Sequence, residues 1–267
     1  MIDWFLGLPW VLLVVLISGG FSAFAVVGLS LTRRWILPRF GRSAEQNDVT
    51  GLIHHGTLII YGLAVALLAV AVWENNAEVT KIVSAEAASI AATYRDADGY
   101  PEPTRSRLRA ELKSYTEYII HEAWPQQRRG QIPLGGVATM DRFQKELRAF
   151  EPATEGQRAL HMETLRGFNT LIQSRRFRLD SISSGLPRPM WAVVVVGALI
   201  TIVSAFFFDI GNARLHRLML AMLAGVLGLL IFLIAFYDSP YRGSHGVTPE
   251  AYELVHDQLM SPEGPPE

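Results

Sequence analysis

The stretch "GTLIIYGLAVALLAVAVWENNAEVTKIVSAEAASIAATYRDA" (residues 56–97) carries no charge from Gly56 to Trp73, and neither Pro nor Gly from Leu63 to Asp98. An uncharged run of that length matches the roughly 20 residues a helix needs to cross about 30 Å of hydrocarbon. With no breaker after it, the same helix is predicted to leave the bilayer as a rod of roughly 50 Å at about 1.5 Å per residue. Asn75 and Asn76 are weak helix formers and mark the one place where it could break.

Three further runs are free of charge: Phe5 to Leu31, Pro189 to Phe208 and Leu218 to Tyr237. Half of the 267 residues are hydrophobic and concentrated in these segments. Four such runs would need a far larger soluble body than the remaining residues supply, so they read as transmembrane helices. The expected fold is an all-α polytopic membrane protein with four transmembrane helices and a helical extramembrane bundle between the second and third. Its parts are residues 1–73 (helices 1 and 2), 74–188 (the extramembrane domain), 189–237 (helices 3 and 4) and 238–267 (a C-terminal tail). The first run contains Ala23 and Ala25 in a small-residue pattern, but its leading residues carry Asp3 and no base. The basic residues follow it, which is the arrangement of a retained helix rather than a cleaved leader.

The polar insert has four amphipathic segments and no strand pattern. The first ends at "DADGYPEP", where Gly99, Pro101 and Pro103 stop a helix. The second starts at Thr104 as N-cap, presents Leu108, Leu112, Tyr115 and Ile119 on one face, and stops at Pro125. The third runs from about Thr139 to Phe150, the fourth from about Glu155 to Ile182 before "SGLPRP". Four such faces can close on one another as a bundle. The end of the chain, "SPEGPPE", has the composition of a disordered tail.

Two charges fall where a packing face is expected. Val79, Val83, Ile90 and Ala97 lie within about 40° of one another on a helical wheel, and Glu86 shares their face. In the fourth segment Arg175 falls among Phe168, Leu171, Ile172 and Ile182, whereas Arg166, Arg176 and Arg178 fall at or beyond the edges of that arc. A charge on a packing face is tolerable mainly when paired and hydrogen-bonded, so Glu86 is expected to meet Arg175.

No catalytic pattern emerges. "HEAW" (His121 to Trp124) lacks the second histidine of a zinc-protease helix, and the neighbours His54 and His55 point to different faces. His161, His216, His245 and His256 are isolated in the sequence. Cysteine is absent, which excludes disulfides and thiolate metal sites. A net charge of −1 argues against a nucleic-acid partner. The chain is therefore not expected to be an enzyme or to hold a cofactor or metal. The small-residue clusters "SGGFSAF" (Ser18 to Phe24) and "AMLAGVLG" (Ala221 to Gly228) allow close helix approach in lipid, within one subunit or between subunits. No ionisable residue sits at mid-membrane, which removes the usual mark of a proton-coupled pump. Arg33, Arg34, Arg39 and Arg42 follow the first span with no base before it, which favours that loop in the cytoplasm and both termini, with the 74–188 domain, outside.

Read together, "SAEAASIAATYRDADGYPEPTRSRLRAELKSYTEYIIHEAWP" resembles the most recognisable block of the bestrophin-like domain family, membrane proteins of bacteria and plants. The residues that carry the likeness are Glu86, Ala87, Tyr94, Arg95, Pro101, Pro103, Arg105, Leu108, Tyr115, Trp124 and Pro125. It continues through "RRFRL" (Arg175 to Leu179), "GNARLH" (Gly211 to His216) and "YDSPYRGSHGVTPEAY" (Tyr237 to Tyr252). Bestrophins proper are pentameric anion channels with four membrane helices per subunit and a large helical body. No acidic cluster here matches their calcium-binding clasp. The resemblance implies a homo-oligomer in the lipid bilayer of a bacterial inner membrane. Its axial pore would be lined by the second span and its extension and would pass small ions, with Asn75 and Asn76 as polar rings. The alternative is a membrane-anchored sensor or interaction scaffold that uses the helical domain.

Overall fold

The computed structural model describes residues 9–39, 44–242 and 246–261, and at 44–45 the backbone alone. Arg42, His245, the tail at 262–267 and the first eight residues lie outside the described residues. Every regular element among them is helical. The helices are α1 (Trp10–Leu31), α2 (Ala44–Ala97), α3 (Thr104–Tyr118), α4 (Trp124–Arg128), α5 (Gly136–Ala149), α6 (Glu155–Ser181), α7 (Arg188–Ala205), α8 (Ala213–Tyr237) and α9 (Glu250–Val255). Four segments are long and apolar enough to cross a membrane: Trp10–Arg39, Gln46–Ala97, Arg188–Ala205 and Ala213–Tyr237. Asn75 and Asn76 do not interrupt α2, a single helix of 54 residues.

The chain divides into two compact units, Met1–Glu74 with Gly185–Ser239 and Asn75–Ser184 with Pro240–Glu267. In the first, the two small-residue clusters pack on each other within the chain. A Cβ added at Gly228 would stand 2.7 Å from the Cα of Ser18, and the Ser22 hydroxyl donates to the Ala221 carbonyl at 2.9 Å. In lipid, where apolar surface gains little by leaving its surroundings, such close backbone approach and interhelical hydrogen bonds hold α1 to α8. Tyr61 from α2 lies against Gly197 of α7 and donates to the Val194 carbonyl at 2.8 Å. The core of the unit is mainly aliphatic, with Leu29, Val65, Val194, Ile202, Leu227 and Ile231 buried beside Tyr61 and Phe206.

The turn between α7 and α8 is closed by polar groups. Asn47 donates to the Asp209 carbonyl at 3.1 Å and accepts from its N–H at 2.8 Å. Arg33 donates to the Ile210 carbonyl at 2.9 Å, and the Asn212 side chain caps α8 by accepting from the N–H groups of Arg214 and Leu215. Asp238, at the end of α8, accepts from the Leu186 N–H at 2.6 Å and from the Trp191 indole at 3.1 Å, pinning the start of α7.

The second unit is built on the faces that the sequence pattern marks: Val79, Val83, Ile90, Leu108, Leu112, Tyr115, Met140, Phe143, Leu147, Phe168 and Leu171 are all buried in one core. Two expected helix ends differ. Thr104 lies inside α3, and the side chain of Glu102 takes the capping role by accepting from the Ser106 N–H. Pro125 does not stop the second segment; a π turn at Ile119–Ala123 precedes it, and Pro125 sits in the first turn of α4. The chain stays helical across this proline, and the wider π turn relieves the clash of its ring with the preceding carbonyls. The chain leaves α4 at Gly130, whose φ of +72° favours glycine. Thr154 caps α6, accepting from the Gln157 N–H at 3.2 Å. The segment expected as a tail belongs to this unit: Tyr241, Tyr252 and Met260 are buried in its core.

Candidate functional site

Glu86 is fully buried, and its partner is Arg178 rather than Arg175. The Arg178 guanidinium, 1% exposed, donates from Nε to Glu86 Oε2 at 2.5 Å and from Nη2 to Oε1 at 3.2 Å. Tyr115 donates to Oε1 at 2.7 Å and Tyr252 to Oε2 at 3.0 Å, so each carboxylate oxygen accepts two hydrogen bonds. Around this centre the Ser181 and Tyr241 hydroxyls are 2.8 Å apart, and Ser181 donates to the Arg178 carbonyl at 2.8 Å. Trp124 sets its ring edge-on to Tyr241 and tilted against Tyr252, with centroids 5.7 and 5.8 Å apart.

The choice of arginine follows from the path of the buried stripe on α6. Thr164, Leu171 and Arg178 are buried at seven-residue intervals, with Phe168 and Ser181 beside them. Seven residues fall about 20° short of two full turns of a straight helix, so a stripe with that spacing drifts around the helix along its length. A wheel at 100° per residue gives all 27 residues one fixed arc and centres it on Arg175. Two turns further along, the stripe has moved to Arg178 and Ser181, and Arg175 stands half-buried at its side.

The electrostatics are those of a closed pair. Burial by itself would lower the Arg178 pKa, but the Glu86 carboxylate and the Tyr252 and Tyr115 oxygens outweigh it and hold the guanidinium well above its ordinary value. Burial first, then the charge of Glu86, pushes the Tyr115 and Tyr252 hydroxyls well above the usual tyrosine range, so both remain donors. One guanidinium nitrogen, Arg178 Nη1, is buried without a partner. The assembly joins α2, α3 and α6 to the C-terminal segment through four side chains, all of whose charge is neutralised internally. It is a lock, and it offers no exposed nucleophile or open coordination position.

The bestrophin-like domain profile matches residues 19–252. The chain belongs to the bestrophin-like domain family. No curated protein and no solved structure matches it. The bestrophin-like match encloses every member of the lock, from Glu86 to Tyr252, as well as Asp238. Tyr252 carries no sequence signal as a partner of Glu86, and Tyr241 none as a partner of Ser181; their place in the "YDSPYRGSHGVTPEAY" motif is the one hint in the sequence that this stretch packs on something. With four apolar helices of spanning length, this bestrophin-like chain is a multi-pass membrane protein.

Of the two candidate pore residues, Asn75 is committed elsewhere: its amide donates to the Ser184 carbonyl at 3.0 Å. Asn76 lies on the wall of an open groove of about 480 Å³, with Thr80 and Ser84 from the same helix and Val247, Glu250 and Leu254 opposite. Along α2 one face is left uncovered. In the span it carries Ile60, Leu63, Leu67 and Val70, and beyond it Glu74, Lys81, Ser84, Ala88 and Ala92, all exposed. With Glu78, also exposed, between Glu74 and Lys81, these positions follow one another at intervals of three and four residues, which places them in one stripe.

Proposed function

We propose that this protein is an oligomeric bestrophin-like channel: identical chains surround an axial pore, and the uncovered stripe of α2 lines it and passes small ions. The observation that carries this reading is that stripe. It is aliphatic within the span and turns small and polar at Glu74, without a break in the helix. Aliphatic rings form constrictions that gate by dewetting, and polar or charged rings set preference. The reading involves no bond-making chemistry. The termini and the helical body are assigned to the outside of the cytoplasm on the strength of the arginines after α1.

The test is ion flux from liposomes into which the purified full chain has been reconstituted, with particle symmetry determined in parallel. A symmetric ring with passive flux is expected. Ala88→Asp, on that stripe, should shift preference toward cations, whereas Asn76→Asp changes the groove wall on another face of α2 and Asn75→Asp should mainly disturb the Ser184 bond. Intact oligomers with no current at any voltage or osmotic tension would overturn the channel. The groove beside Asn76 favours a second reading in that case, a membrane-anchored sensor or scaffold whose body binds a small ligand.

A further inference from the structure

We propose that the groove between α2 and α7 is a binding site for one anionic phospholipid, with an acyl chain along the groove and the headgroup phosphate at its arginine-rich end. The groove has a volume of about 460 Å³, within the range of roughly 300–1,000 Å³ typical of small-molecule sites. Its walls are Thr50, Ile53, Val196, Ile200 and Phe207, with Ser204 the second hydroxyl-bearing residue. Apart from Thr50 and Ser204 the lining is apolar, and both helices belong to segments of spanning length.

The two ends of the groove differ in chemistry. At the Phe207 end the polar closure begins: His54 is bonded to Ser204 at 2.8 Å, Asn47 brackets Asp209, and Arg33 reaches the Ile210 carbonyl. The segments held there supply a surplus of positive charge. Arg34 and Arg39 follow α1, Arg214 and Arg217 open α8, and all four are exposed, against Asp48 and Asp209 among the described side chains of the same region. The Arg34 guanidinium lies 5.7 Å from the centroid of the Trp35 ring, which is itself exposed. Tryptophan and arginine side by side at the end of a span are the groups that settle at headgroup depth. A neutral lipid would gain from the groove but not from the arginines. A soluble anion would gain from the arginines but not from the groove. Only an anionic lipid uses both, as basic pockets between membrane helices do.

The experiment uses the full chain, delipidated in detergent, with phosphatidylglycerol or phosphatidylcholine of the same acyl chains added back and bound lipid counted by native mass spectrometry. Phosphatidylglycerol should be retained preferentially. Arg34→Gln combined with Arg214→Gln should lower its affinity about 25-fold, roughly fivefold for each charge near the surface, and leave phosphatidylcholine unchanged. Ile200→Trp fills the groove from a position that is 53% exposed and should remove both lipids. Val196→Trp, one turn away, serves the same purpose if the first variant does not yield folded protein. Equal retention of the two lipids, or unchanged binding after the groove is filled, would overturn the proposal. So would efficient disulfide cross-linking of two chains through Ile200→Cys, which would make the groove an interface between copies.

Discussion

Glu86→Ala is the perturbation that tests the buried lock most directly. The substitution removes four hydrogen bonds at once and leaves Arg178, 1% exposed, with no countercharge. Breaking one side of a buried pair costs about 3–5 kcal/mol, because the remaining charge is desolvated and uncompensated. Arg178→Ala should cost the same for the mirror-image reason. At about 2–4 °C per kcal/mol for a chain of this size, each predicts a fall of roughly 6–20 °C in the midpoint of thermal unfolding. Tyr115→Phe removes a single bond to a charged acceptor and should cost about 1.5–3 kcal/mol. Arg175→Ala is the control: its side chain is half-buried and outside the pair, so a loss of about 0.5 kcal/mol or less is expected. Glu86→Leu with Arg178→Met replaces the pair by apolar groups and should recover most of the stability. The assay is intrinsic-fluorescence melting of purified protein in detergent, with monodispersity checked by size exclusion. A parent-like melting point for Glu86→Ala, or equal damage from Arg175→Ala and Arg178→Ala, would refute the assignment.

Other consequences are open to measurement. Gly228→Ala brings a methyl group against the Ser18 backbone and should cost about 1–3 kcal/mol, whereas Gly19→Ala meets nothing within 4 Å and should not lower the melting point. Because Tyr115 and Tyr252 have raised pKa values in the folded chain, their contribution is fully present below the ordinary tyrosine value of about 10 and is lost as pH rises above it. Titration followed by tyrosinate absorbance should therefore show these two ionising only as the body unfolds; gradual ionisation in the folded protein would contradict their burial. A reporter active only outside the cytoplasm should work when fused to the C-terminus, and activity from a cytoplasm-only reporter there would reverse the orientation.

The four spans, the continuity of α2 and the core faces of α3, α5 and α6 were legible in the sequence. Each depends on properties that a chain displays locally: uncharged length, absence of breakers, and apolar spacing of three and four residues. Glu86 was legible as a buried charge for the same reason. Its partner was not, because on a wheel Arg175 and Arg178 differ only by a drift of the buried stripe that accumulates over several turns of α6. The small-residue clusters announced close packing without saying against what. Only tertiary structure set Ser18 beside Gly228 within one chain. The C-terminal segment was the least legible, since its composition is that of a tail and its helix is six residues long. Local propensity cannot order so short an element; Tyr252 is fixed by the Glu86 carboxylate and Tyr241 by the Ser181 hydroxyl, both of which arrive from far away in the chain. What one residue type in one place determines, the sequence states outright; which of two charges meets a third is decided only when the helices pack.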